Sequence, residues 1–290
     1  DFDVRHPPSG SGDCCAPKLL QYAYKNELQP LVLGEFWWGS APDKEVRQHG
    51  YFYPSCASRC RPILGHMLQG LDVEQNPLLT FGQDKPMPVV YEDDDLVVVN
   101  KPAGLLSVPG VEIEDSALTR IKNLYPNATG AILLHRLDMS TSGLLMFTLN
   151  PKANKRMQRQ FIKRQVQKTY IADVEGVVAN NHGIIDLPLA PDYYDLPRQM
   201  VCDKTGKASE THWSVITRSK STTRLALKPI TGRTHQLRVH CAHPEGLGMP
   251  MVGDELYGVI GERLHLHAHK LEFTHPTSKE LITIEAPVDF

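Results

Sequence analysis

The sequence predicts an α+β chain, a large and mostly antiparallel sheet preceded by a small N-terminal region of different character. Three observations carry this reading. After Pro88, apolar runs such as "LVVVNKP", "LLMFTL", "TYIADVEG", "HWSVITR", "TRLALKPI" and "LHLHAHKLEF" recur between turns, with few helical periods among them. Up to about Gly82 the chain is instead marked by Cys, Trp and Pro. A length of 290 residues with 41% hydrophobic content is enough for one large or two small cores. The boundary is therefore placed between Gly82 and Pro88, giving domains 1–82 and 83–290.

Taken in order, "CAPKLLQYAYKN" predicts a short helix with Pro17 in its first turn and Leu19, Leu20 and Tyr24 on one face. "EFWWGSAP" ends in turn signals and offers two adjacent Trp rings, suited to core packing or to stacking on a base. Cys14 or Cys15, with Cys56 and Cys60, crowd this region. With His49 or His66 they suffice for a structural zinc, although the spacing also suits ordinary thiols. No apolar run approaches the roughly 18 residues that span a bilayer, and "DFDVRHPPSG" has neither a basic start nor an apolar core, so a cytoplasmic protein without a membrane partner is expected.

A net charge of -2 excludes a protein that coats nucleic acid through global charge. Locally the balance differs. From Lys152 to Lys168 there are seven Lys or Arg and no acid, with Met157, Phe161 and Ile162 as an apolar stripe. This predicts a basic amphipathic helix whose cations, Lys155, Arg156, Arg159, Lys163 and Arg164 among them, form either a solvated face or a surface for an RNA backbone or an acidic partner.

Four segments carry candidate chemistry. In "HRLDMSTSGLL", Asp138 precedes a small polar turn and is either an Asx cap or a reactive carboxylate. "QKTYIA" opens a strand with Lys168 and Tyr170. "KPITGRTHQLRVH" sets Arg233, His235, Arg238 and His240 after a glycine turn, read here as a strand, with Arg233 able to fork onto a carboxylate. "NKPAGLLSVPG" reads as a structural loop. His265, His267 and His269 alternate along a strand, so they share one face, and a metal site is the alternative to plain strand positions.

Together and in this order, "HRLDMSTSGLL", "KTYIA", "GRTHQLRVH" and "LHLHAHKLEFTHP" resemble the RluA-type pseudouridine synthases over roughly Val89 to Phe290. The resemblance implies a pseudouridine synthase fold, a sheet in two lobes around a central cleft, and an isomerase converting a specific uridine in structured RNA. It extends to members acting on large-subunit ribosomal RNA and tRNA, so rRNA, tRNA or both are the implied partners of a monomer. The resemblance also assigns roles: Asp138 as catalytic carboxylate, Arg233 as its paired arginine, and Tyr170 as the ring stacking on the uracil. Arg136 would fill the stack left by a flipped base, with Lys168 beside the RNA and Leu266 as a pocket wall. No cofactor is implied for the chemistry, and a structural zinc on Cys14, Cys56 and Cys60 is the one metal expectation. Whether Asp138 attacks sugar or base, or removes a proton, stays open at this stage. Two other classes are weighed: an inactive RNA-binding module would be expected to lose the Asp138, Tyr170 and Arg233 set, and a hydrolase would need Asp138 to activate water with His135 or His235.

Overall fold

The computed structural model describes residues 10–40, 49, 60–73, 85–110, 113–192, 197–259 and 261–290. These fall into two compact units, the first holding described residues up to 73 and the second those from 85 onward. The boundary expected at 82/83 lies outside the described residues.

In the first unit, α1 (Cys15–Lys25) and α2 (Arg61–Met67) meet through Ala16, Leu20, Cys60 and Leu64. The packed stripe of α1 is Ala16, Pro17 and Leu20, so Leu19 and Tyr24, expected beside Leu20, face outward. Tyr24 still ties the helices, its hydroxyl donating to the Met67 carbonyl. Trp38 is 77% exposed, whereas Trp37 is half-buried and donates from Nε1 to the Ser40 carbonyl.

The second unit is built on a nine-stranded sheet: β1 (Val89–Glu92), β2 (Leu96–Lys101), β3 (Ser142–Thr148), β4 (Gln167–Glu175), β5 (His182–Asp186), β8 (Glu210–Arg218), β9 (Thr222–Pro229), β10 (Leu266–Thr274) and β11 (Leu281–Glu285). A separate hairpin joins β6 (Leu189–Pro191) to β7 (Gln199–Val201). The order is β1-β2-β3-β10-β4-β9-β8-β5, with β11 on β10. The β3–β10 pair is parallel and the other pairs are antiparallel.

Alternation in the central strands explains two apolar layers. Val97, Val99, Leu145 and Phe147 join Tyr170, Leu225 and Leu227 on one face, where α3 (Ala117–Leu124) and α5 (Gln236–Ala242) pack. Leu96, Val98, Leu144 and Met146 face the other way, onto Met157 of α4 (Pro151–Ile162). Each residue of β3 is buried, as a strand covered on both faces must be. Its parallel contact with β10 is short, His267 opposite Ser142 and Ala268 opposite Gly143. Gly143 has φ 109°, and an added Cβ would stand 2.4 Å from the Ala268 carbonyl oxygen, so glycine alone fits this entry into the sheet. Among the described residues no helix is long and apolar enough to cross a membrane.

Candidate active site

Asp138 sits in the loop that feeds β3 into the middle of the sheet, and the backbone on both sides of it is pinned. Ser107 Oγ donates to the Leu137 carbonyl at 2.6 Å and accepts from its amide at 3.0 Å. Lys101, fully buried at the end of β2, donates from Nζ to the carbonyls of Pro102 (3.0 Å), Leu105 (2.8 Å) and Met139 (3.1 Å). Three acceptors match the three N–H bonds of an ammonium. Burial pushes Lys101 down to about 7, while the Asp138 carboxylate works in the opposite direction and favours its charge. Ser140 Oγ donates to Glu255 Oε1 at 2.8 Å, tying the turn after Asp138 to a second loop.

The loop opens on a cleft of about 580 Å³. Asp138, Arg136, Lys168, Tyr170, Arg233 and Leu266 all line it, so six residues singled out from separate sequence segments converge. Tyr170 and Leu266 are buried walls, contributed by neighbouring strands β4 and β10. Burial first, then the Asp138 carboxylate, push the Tyr170 phenol well above its ordinary pKa. Burial also lowers the Lys168 pKa. His135 is pushed down to about 3 by burial and then by Lys168, and its Nε2 accepts from the Met146 amide at 3.2 Å. Arg136 is exposed at the rim.

The facing wall corrects the sequence reading. Residues 236–242 form helix α5 and not a strand, because Gln236 turns the chain: its Oε1 accepts from the Thr231 hydroxyl (2.7 Å) and the Arg233 amide (3.0 Å). Arg233 is exposed and donates from Nε to the Ala208 carbonyl at 3.2 Å; among the described residues it forms no ion pair with Asp138. On this wall the Asp138 charge adds to what raises the Arg238 pKa. Arg238 is 2% exposed and bidentate on Asp254, Nε to Oδ2 at 2.9 Å and Nη2 to Oδ1 at 2.6 Å, with Glu255 3.2 Å away. Burial lowers its pKa, but the Asp254 hydrogen bonds and charge outweigh burial and raise it. In "HQLRVH" Leu237 and Val239 alternate as in a strand, so nothing local marked Arg238, and nothing local in "NKPAG" marked Lys101.

The basic segment also divides. α4 ends at Ile162, and the chain turns at Arg164, with φ 56°, into β4. Asn150 starts the helix, its Oδ1 accepting from the Ala153 amide at 2.9 Å. Of the expected phosphate contacts only Arg164 lines the cleft. Arg156, Arg159 and Lys163, with Lys279, line a neighbouring groove of about 440 Å³ on the other side of the turn. Arg156 Nη1 is engaged by the Pro276 carbonyl at 2.7 Å, and Lys155 lines neither hollow. Ile162, expected on the buried stripe, is 79% exposed.

Cys56 of the expected zinc set lies outside the described residues. Cys60 is buried in the apolar cluster of the first unit, with Cys14 packed against it. Among the described residues no three Cys, His, Asp or Glu side chains are grouped to hold a metal. The three alternating histidines each have separate partners: His265 Nδ1 with Asp173 Oδ2 (3.1 Å), His267 Nδ1 with Ser142 Oγ (2.8 Å) and His269 Nδ1 with the Ala286 carbonyl (2.7 Å).

The chain is similar to known proteins. The dual-specificity RNA pseudouridine synthase RluA of Escherichia coli is 44% identical over 216 residues, 72% of this chain and 96% of that protein. Its namesake from Yersinia pestis is 46% identical over 198 residues, covering 66% and 93% respectively. Among solved structures, human RNA pseudouridylate synthase domain containing 1 superposes with a TM-score of 0.58 at 28% identity, covering 74% of this chain and 86% of that one. Residues 95–243, which run from β2 through α5 and hold Asp138, Tyr170 and Arg238, match the RNA pseudouridylate synthase family. With that match and near full-length coverage of its bacterial relatives, the chain belongs to the RNA pseudouridylate synthase family.

Proposed function

We propose that this chain converts a specific uridine in a stem-loop of ribosomal RNA, tRNA or both to pseudouridine, with Asp138 as the catalytic carboxylate. The observation that carries the reading is the setting of Asp138: held through its neighbours Leu137 and Met139, and placed in one cleft with a buried tyrosine. The names of the bacterial relatives support RNA as the substrate and more than one target, since those proteins are described as dual-specificity RNA pseudouridine synthases.

The reaction breaks the N1–C1′ bond, turns the uracil and forms C5–C1′, with one proton leaving C5 and one gained at N1. Electrons balance without an external oxidant or reductant, so the chemistry needs no redox cofactor. A carboxylate can add to C1′ or to the base, or stabilise positive character at C1′, and Asp138 is the anionic group in reach. With its pKa raised, Tyr170 meets the uracil as a neutral phenol, a stacking surface with a hydrogen-bonding end. Arg238 and Lys101 add positive charge that favours the Asp138 carboxylate, and Arg233 lines the same cleft with its side chain exposed toward the RNA.

A uridine within a stem must leave its stack, at a cost of a few kcal/mol. Arg136, planar and exposed at the rim, suits the vacated space. Leu266 walls the pocket, Lys168 lies beside it, and a strand leaving the cleft would cross Arg164 toward Arg159 and Lys163.

The test is pseudouridine mapping, at nucleotide resolution, of RNA from cells with and without this gene, complemented by the wild type or by Asp138→Asn. The expected result is a site in rRNA or tRNA that vanishes on deletion and returns with the wild type only. A site restored by Asp138→Asn would overturn the role of Asp138, and no changed site in any RNA would overturn the substrate assignment.

A further inference from the structure

His235 caps α5 in a left-handed backbone conformation, φ 52° and ψ 17°, which a residue with a Cβ adopts only where its surroundings over-determine it. Those surroundings are specific. Its Nδ1 lies 2.8 Å from the Tyr257 hydroxyl, and the two rings meet edge to face with centroids 5.7 Å apart. Tyr257 is fixed in turn: its amide donates to Asp254 Oδ1 at 3.0 Å, and the Arg238 guanidinium lies 5.3 Å over its ring.

A third group sets the direction of the His235–Tyr257 bond. The Gln199 amide donates to the Tyr257 hydroxyl oxygen at 2.7 Å, and an amide N–H cannot do otherwise. The hydroxyl is therefore already an acceptor, and the acceptor for its own proton among the described residues is His235 Nδ1. An accepting Nδ1 leaves the neutral imidazole protonated at Nε2. Burial favours the same neutral form, lowering the His235 pKa against the opposing pull of Asp138. Among the described residues Nε2 has no hydrogen-bond partner, while the ring lines the cleft with Asp138 and Tyr170.

We infer that His235 is a substrate contact whose Nε2–H donates to a carbonyl oxygen of the uracil in the cleft, with Tyr257 as the positioning residue that fixes its tautomer. The inference rests on the function proposed above. Uracil offers two carbonyl acceptors and one N3–H donor, so the sign of the contact depends on the tautomer. Protonated at Nε2, the ring addresses a carbonyl; protonated at Nδ1, it would offer a lone pair and address N3–H instead. The Gln199 amide and the Tyr257 hydroxyl together select the first.

Imidazole 15N spectra of the histidine-labelled full chain test the tautomer without reference to turnover. The expected result is protonation at Nε2 in the wild type and a mixed population in Tyr257→Phe; protonation at Nδ1 in the wild type would overturn the inference. The contact is read from kcat/KM on RNA carrying uridine, 2-thiouridine or 4-thiouridine at the target, since sulfur is a poor acceptor. For the wild type, one of the two thio substrates should lose about 3- to 10-fold, the worth of one neutral hydrogen bond. His235→Phe should show that loss on the normal substrate and no further loss on the thio substrate, whereas His235→Gln, with an amide N–H near the Nε2 position, should recover part of it. Equal thio sensitivity in wild type and His235→Phe would overturn the contact. Failure of the underlying function would be separate and visible, as turnover by Asp138→Asn with the tautomer unchanged.

Discussion

The cations at the centre of the second unit and those at its rim are built in opposite ways. Lys101 and Arg238 are buried, with Lys101 on three carbonyls and Arg238 on two carboxylates. Arg136, Arg159, Lys163 and Arg164 are exposed. The same two residue types thus serve two ends. A buried cation held by several fixed acceptors fixes the shape of a site and cannot lose a partner cheaply. An exposed one is screened, individually weak and useful in numbers against a polyanion. Removing one group at the centre should therefore cost far more than removing one at the rim.

The sharpest way to break the centre leaves every cation in place. Gly143→Ala keeps the charges but forces a Cβ to within 2.4 Å of the Ala268 carbonyl oxygen and 2.5 Å of its amide nitrogen, at φ 109°. Both atoms are backbone of the adjacent strand and cannot swing aside. Destabilisation above roughly 4 kcal/mol is expected, the exceptional end of single substitutions. Urea denaturation reads it, and a change within about 1 kcal/mol would show that the β3–β10 junction yields more than a packed core should.

Asp254→Ala comes next. It leaves the Arg238 guanidinium, 2% exposed, without its bidentate partner and frees the amides of Leu256 and Tyr257. A loss of about 3–5 kcal/mol is expected, much of it the cost of a buried charge left with the single, more distant carboxylate of Glu255. Asp254→Asn, which retains one acceptor, should lose less by the same denaturation measurement. Equal losses would place the effect in the charge that both variants remove, and not in packing or the retained acceptor.

His135 gives a smaller, pH-dependent effect at the edge of the centre. Its folded pKa is about 3 against an ordinary value of 6.5, because burial and Lys168 oppose its charge and Nε2 must accept from the Met146 amide. Between these values the unfolded chain binds more protons than the folded one, so the stability that His135 withholds from acid is whole above about pH 6.5 and declines as pH falls toward 3. His135→Leu should be less stable than wild type at pH 7, where it lacks the Met146 bond, and should lose less of its stability between pH 6.5 and 4.5. Parallel pH profiles for the two proteins would assign the acid sensitivity elsewhere.

The same division decides how much was legible in the sequence. Strands β2, β3, β4, β8, β9 and β10 were readable from apolar runs, since a strand buried on one or both faces must carry them. The residues of the cleft were readable as motif positions, and they do converge. What escaped was anything defined by a long-range partner. Lys101 looks like a loop lysine until Met139, 38 residues on, accepts from it. Arg238 reads as one of several cations until Asp254 is seen to bury with it. Short α5 lacks a cap signal in its own segment, because Gln236 makes its turn by binding back to Thr231 and Arg233. The basic helix was read on to Lys168, six residues past the end of α4 at Ile162, since Lys163 and Arg164 continue the composition of the helix but not its backbone.

The rim offers the smallest effects and the cleanest contrast. Arg159→Ala and Lys163→Ala remove exposed cations that line the groove beside the α4–β4 turn, and among the described residues neither forms an ion pair whose loss would disturb the fold. Stability should stay within about 0.5 kcal/mol of wild type, as for ordinary surface changes. Binding to a target stem-loop with a flanking strand should weaken by less than about tenfold at moderate salt, and each substitution should reduce the slope of log affinity against log salt by about 0.7 to 0.9. Lys155→Ala is the internal control, because Lys155 lies on the same helix, carries the same charge and lines neither hollow. If a strand follows the groove, Lys155→Ala leaves the slope nearly unchanged while the other two lower it. If all three lower it equally, the helix acts as a diffuse positive surface, and the rim has no path for the RNA beyond its charge.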